Sequence, residues 1–157
     1  MQKVITEQEI IQIQNEWAKS LIEIGELFTK KMDYKSLAIK HIDTYYGYND
    51  GTVLFKPTLA NNRQFRKTFE SALSYFIGGN PNFPQDVGFA LVPWKEVRFE
   101  NSGFILKNES AVAMGNYFFI DFTGREVKVE YTFGFFRNSD GRLKINLHHS
   151  SIPYSKT

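Results

Sequence analysis

From Trp94 onward the chain alternates between apolar and polar residues, with turn residues between the runs. Val127, Val129, Tyr131 and Phe133 interleave with Lys128, Glu130 and Thr132, the period of a strand with one buried face. The pattern predicts strands at Trp94–Glu100, Gly103–Leu106, Ala111–Phe122, Glu126–Arg137 and Leu143–Ser150. Between them lie Asn101-Ser102-Gly103, Lys107-Asn108-Glu109, Thr123-Gly124 and Ser139-Asp140-Gly141, which suit tight reversals. Such a meander needs something apolar to cover its inner face. With 15 Phe, 8 Tyr and 2 Trp, most of them after Tyr34, that face is rich in aromatic rings.

The first part of the chain supplies the cover. Thr6 and Glu9 form a capping box, and Ile10, Ile13, Trp17, Leu21, Ile24 and Phe28 follow at three- and four-residue steps. Gly25, costly in a helix interior, suggests a close approach by another element. Asp33 is placed to cap a second helix over about Tyr34–Tyr45, with Leu37, Ile42 and Tyr45 inward. A short strand over Thr52–Phe55 ends at Pro57. A third helix is predicted from about Asn62 to Phe76, with Phe65, Phe69, Ala72, Leu73 and Phe76 on its apolar face and Tyr75 at the edge of that face. Gly78-Gly79-Asn80-Pro81 stops it, and the irregular stretch to Pro93 suits a rim or lid. Helices first and strands after give an α+β class, in one domain over 1–157. The order matches the NTF2-like cone, in which a curved antiparallel sheet wraps around helices.

Composition narrows the chemistry. There is no Cys, which removes disulfides, thiolate nucleophiles and thiolate-bound zinc. The 19 basic and 17 acidic residues leave a formal charge of +2, too balanced for a nucleic-acid surface. No apolar run approaches the roughly 20 residues that cross a bilayer, and no secretory leader is read at the start, so a cytoplasmic location is expected.

The densest polar cluster is Asn146-Leu147-His148-His149-Ser150-Ser151. Imidazole moves protons near neutrality, and hydroxyls both donate and accept. A tris-His zinc centre would need His41, His148 and His149 together, but neighbours in a strand point to opposite faces. The same alternation puts Lys144, Asn146, His148 and Ser150 on one face, and Ile145, Leu147, His149 and Ser151 on the other. The second set begins apolar, so His149 is expected to be a hydrogen-bonded structural residue packed toward the core. A bulge at the strand end would move the site to His149 and Ser151.

Several runs carry a resemblance. They are Tyr46-Gly47-Tyr48-Asn49-Asp50-Gly51-Thr52-Val53-Leu54-Phe55-Lys56-Pro57-Thr58, Phe69-Glu70-Ser71-Ala72-Leu73-Ser74-Tyr75-Phe76, Met114-Gly115-Asn116-Tyr117-Phe118-Phe119, Val129-Glu130-Tyr131-Thr132-Phe133-Gly134 and His148-His149-Ser150-Ser151-Ile152-Pro153-Tyr154. In this order they resemble the iota-class carbonic anhydrases, an NTF2-like family related to the calcium/calmodulin-dependent kinase II association domain. The resemblance implies reversible hydration of CO2 to bicarbonate with no metal cofactor, in a partly hydrophobic pocket. It implies a site at Thr58, Tyr75, His148 and Ser150, with Thr52 as an alternative to Thr58. The hydroxyls would hold the substrate oxygens and His148 would accept or relay a proton. A homodimer through the outer sheet face is expected from the fold. The competing readings are a non-catalytic oligomerisation module and a ketosteroid-isomerase-like enzyme with a buried carboxylate base.

Overall fold

The structure is a computed structural model describing residues 3–156. Among them, three α-helices come before a long antiparallel meander: α1 (Glu7–Thr29), α2 (Tyr34–Tyr45), a short strand β1 (Leu54–Lys56), α3 (Phe69–Ile77), a 3-10 turn (Phe89–Leu91), then β2 (Trp94–Leu106), β3 (Ser110–Asp121), β4 (Glu126–Arg137) and β5 (Leu143–Ser151). The sheet order is β1-β5-β4-β3-β2. The α+β reading holds, with one addition. β1 joins the edge of β5 in parallel, Phe55 opposite His148, and so brings the loop after it alongside the end of the last strand.

α1 begins as expected. The Thr6 hydroxyl accepts from the Glu9 amide and the Glu9 carboxylate accepts from the Thr6 amide. Ile10, Ile13, Trp17, Leu21 and Ile24 are buried, but Phe28 leaves the stripe, exposed and edge-on to Tyr34. Gly25 is the predicted close approach: a Cβ there would stand 2.7 Å from the Ala90 carbonyl oxygen in the 3-10 turn. In α2 the inward residues are Ala38, His41 and Ile42, while Leu37 and Tyr45 are only partly covered.

α3 is shorter than expected. It starts at Phe69 because Thr68 and Ser71 cap each other, hydroxyl to amide in both directions. Before it, Arg63 takes a left-handed backbone (φ 49°), which breaks a helix, and Phe65 is exposed. The segment is ordered instead by Arg66, whose guanidinium is wholly buried against Asp86.

Two further differences come from bulges. Trp94–Leu106 is one strand, and the expected turn at Asn101-Ser102-Gly103 is a register shift against β3. In β5, Phe135 pairs with Ile145 while Gly134 pairs with Leu147, so Asn146 is the extra residue. Gly134 makes room for it: a Cβ there would lie 2.8 Å from Leu147 and 2.9 Å from the Asn146 side chain. Ile145 therefore shares the inner face with His148 and Ser150, and the strict alternation expected across Lys144–Ser151 is broken.

The core lies between the helices and this inner face. Trp17 is at its centre, in ring contact with Phe76, Phe99, Tyr117, Phe133, His41 and His148. No helix among the described residues is long and apolar enough to cross a membrane.

Candidate active site

The aromatic core contains a polar row. His148, 2% exposed, stacks on Phe55 with centroids 4.7 Å apart and planes 10° from parallel, and Phe133 lies 4.3 Å away on centroids. Both ring nitrogens are engaged: Nδ1 lies 2.9 Å from the Tyr46 hydroxyl and Nε2 lies 3.1 Å from the Tyr117 hydroxyl. The row continues from the Tyr117 hydroxyl to Ser150 Oγ (2.5 Å), and from Ser150 Oγ to Thr58 Oγ1 (2.6 Å). At its other end the indole of Trp17 donates to the Tyr46 hydroxyl at 3.1 Å. The Tyr75 phenol reaches the same loop, its oxygen accepting from the Leu59 amide at 3.3 Å. Thr58 is partly exposed, whereas Tyr75, His148 and Ser150 are buried. Lys56 donates to the Ser150 carbonyl at 3.0 Å, which puts a cation behind the strand end.

Thr58, Ser150 and, through Tyr117, His148 are thus joined in one hydrogen-bonded row, and Tyr75 adjoins it at the Leu59 amide, all brought together by β1, the loop after it, α3 and β5. Thr52 is exposed, on the far side of β1 from Thr58. His149 is also exposed, contrary to the expectation that it packs toward the core. The reason is the bulge at Asn146: it turns the apolar Ile145 inward and leaves His149 facing out. Tyr117, Tyr46 and Trp17 complete the row, and the sequence assigns none of them a role in the site. Their spacing is that of ordinary core aromatics, and the signal is their partnership with His148, which appears only when the strands pair.

Burial sets the protonation states. It holds the His148 imidazole well below its usual range, and the other two histidines add to this, so the ring is neutral. Burial also pushes the Tyr46, Tyr75 and Tyr117 phenols above theirs. The row is therefore a chain of neutral groups. His41 is lowered to about 3 by burial, with its Nδ1 2.8 Å from Ser20 Oγ and its Nε2 without a partner among the described residues. Among the described residues no three His, Asp or Glu side chains converge on a common point that would hold a metal ion.

A sequence model described as metal-independent carbonic anhydrase matches residues 8–152. The chain belongs to that family. A metal-independent carbonic anhydrase from Nostoc sp. is 41% identical to it, over 98% of this chain and 77% of the relative. The solved iota-carbonic anhydrase from a cyanobacterium, complexed with bicarbonate, superposes with a TM-score of 0.96 at 40% identity, covering 99% of this chain and 97% of that one. An NTF2-like superfamily protein from Salmonella enterica matches at a TM-score of 0.57 and 12% identity, over 96% of this chain and 92% of its own, which shows the shared fold.

For this member of the metal-independent carbonic anhydrases, the buried neutral histidines make stability depend on pH. Above about pH 6.5 both rings are neutral folded or unfolded, and nothing is lost. Below it the unfolded chain takes up protons that folded His41 and His148 refuse, so stability falls with acidification. The expected loss is about 2 kcal/mol for His41 by pH 5, from about 1.4 kcal/mol per pH unit, and His148 adds to it in the same direction. Urea unfolding at pH 7 and pH 5 measures it. Equal stability at the two values would mean the rings are not held neutral.

Proposed function

We propose that the chain, as one domain over 1–157, catalyses the reversible hydration of CO2 to bicarbonate, with Thr58, Tyr75, Ser150 and His148 as its site and no metal cofactor. The observation that carries this reading is the connected row from His148 through Tyr117 and Ser150 to Thr58, in a fold that superposes at 0.96 on a bicarbonate-bound relative. Without a metal, water keeps a pKa near 15.7. The site must then gain its rate by orienting CO2 and water and by stabilising the negative charge that builds on the oxygens. The partly exposed Thr58 hydroxyl and the neighbouring Tyr75 phenol meet the substrate. Ser150 holds Thr58 in place from behind, and His148 sets the polarity of the row. The rings of Phe55, Tyr75 and Phe89 supply apolar surface for CO2.

The isomerase alternative would need an uncommitted carboxylate in the site. The buried Asp86 carboxylate is taken by Arg66 and Ser74 instead. The proposal includes a homodimer through the outer sheet face, where Met114 is exposed, and a cytoplasmic location suited to a chain without Cys. A monomer mass in solution would contradict the first, and recovery outside the soluble cell fraction the second. The catalytic reading is tested by following acidification of CO2-saturated buffer with the purified protein. Acceleration over the buffer rate is expected, and its absence would leave the oligomerisation module as the better reading.

A further inference from the structure

The hydrogens in the row can be placed, because one member can only donate. The indole of Trp17 has a single N–H and no acceptor, and it gives that hydrogen to the Tyr46 oxygen. Tyr46 has one hydrogen of its own and a second neighbour within reach, His148 Nδ1. Were Nδ1 protonated, it and the indole would both aim at the Tyr46 oxygen, leaving the Tyr46 hydrogen unpaired in a side chain that is 2% exposed. The arrangement that pairs every hydrogen has Tyr46 donating to a bare Nδ1. A neutral His148 then carries its hydrogen on Nε2, where it donates to the Tyr117 oxygen. Tyr117 in turn donates to Ser150 Oγ, and Ser150 donates to Thr58 Oγ1. Each hydroxyl hydrogen along the row points toward the exposed end, and the hydrogen of the partly exposed Thr58 is left to meet a substrate oxygen.

We propose that Tyr46, held by Trp17, is a positioning residue that fixes His148 as its Nε2–H tautomer and so aims the hydroxyl row outward, making His148 a hydrogen-bond donor toward a forming anion rather than the acceptor of water's proton. This rests on the carbonic anhydrase reading of the same site. Acceptance of a proton through Ser150 and Tyr117 would require a bare Nε2, the tautomer that Trp17 and Tyr46 disfavour. An oxyanion at the Thr58 end gains from a row of donors already oriented, with no reorganisation during the reaction. His148 therefore works through Tyr117 and Ser150, at a distance from the substrate, and the proton that water gives up passes to solvent at the partly exposed Thr58 end.

The test reads the tautomer directly, by long-range proton–nitrogen correlation on the His148 ring of 15N-labelled protein. The expected wild-type result is a protonated Nε2 and a bare Nδ1. Tyr46→Phe keeps the ring and removes the hydroxyl, and should leave a mixture of both tautomers with kcat for CO2 hydration about tenfold lower and KM little changed. A protonated Nδ1 or a charged ring in the wild type overturns the inference, as does a pure Nε2–H ring in Tyr46→Phe. Mixed tautomers with unchanged kcat would remove the functional part. The wild-type spectrum is informative even if hydration is absent, so a failure of the orientation and a failure of the catalytic reading are separately visible.

Discussion

Thr58→Val is expected to lower kcat for CO2 hydration by about 10²–10³-fold, the usual cost of removing one donor to a developing oxyanion. Valine keeps the shape of the side chain and deletes the hydroxyl that bonds Ser150 Oγ, 2.6 Å away. Ser150 loses its acceptor, which costs about 1–3 kcal/mol of stability if nothing replaces it. Domains of this size are held by about 5–15 kcal/mol, so the variant should stay folded and its defect should be kinetic. Thr52→Val is the control. Thr52 is exposed and ahead of β1, so its loss should leave turnover and thermal midpoint close to wild type. Stopped-flow hydration rates and thermal midpoints on both variants decide the matter. Normal turnover in Thr58→Val would remove Thr58 from the site, and a large loss in Thr52→Val would mean the wrong threonine is assigned.

The largest effect on stability is expected at Arg66. Its guanidinium is clamped on Asp86 by two bonds of 2.7 Å, and also donates to the carbonyls of Ser71 (2.8 Å) and Arg63 (2.9 Å). The Ser74 hydroxyl donates to the same carboxylate at 2.6 Å, and the two charged side chains are 0% and 1% exposed. Arg66→Met leaves Asp86 charged and unpaired in the interior, a change that costs about 3–5 kcal/mol. A loss of that size is a large share of the about 5–15 kcal/mol that holds an ordinary domain. Pairing Arg66→Met with Asp86→Leu should recover much of the loss, because two apolar side chains leave no orphaned charge. The pair also ties the irregular segment ahead of α3, which follows Thr58, to the segment before the 3-10 turn, so turnover should fall with stability in the single variant. Urea unfolding of both variants measures the effect. A single variant as stable as wild type would show that the pair contributes little.

Where the fold was legible from sequence, local rules sufficed. The Thr6 capping box, the stripe from Ile10 to Ile24 and the Asp33 cap depend on residues a few positions apart, and they are found as read. The apolar period that Phe65 completes extends the third helix too far, while the burial of Arg66 against Asp86, twenty residues later, decides where the chain goes. The bulge at Asn146 depends on Gly134 across the strand pair, and so lies outside any single-strand pattern. That bulge is why His149 faces out although its neighbours suggested packing inward. His148 and Ser150 survive the error because they stand after the bulge, where the two-residue period resumes. Tyr46 and Tyr117 were hidden for another reason. A phenol in a core is ordinary, and its role becomes visible only when its hydroxyl meets an imidazole from a strand far along the chain.

The most direct measurement of the central claim is CO2 hydration by protein stripped of metal. The purified chain would be treated with strong chelators and dialysed, its metal content measured by mass spectrometry, and its hydration rate followed by stopped flow. A site built from hydroxyls and a neutral imidazole predicts that turnover per protein is unchanged when metal falls far below one atom per chain, and that added zinc or manganese does not raise it. Loss of activity on stripping, restored by either ion, would contradict the account.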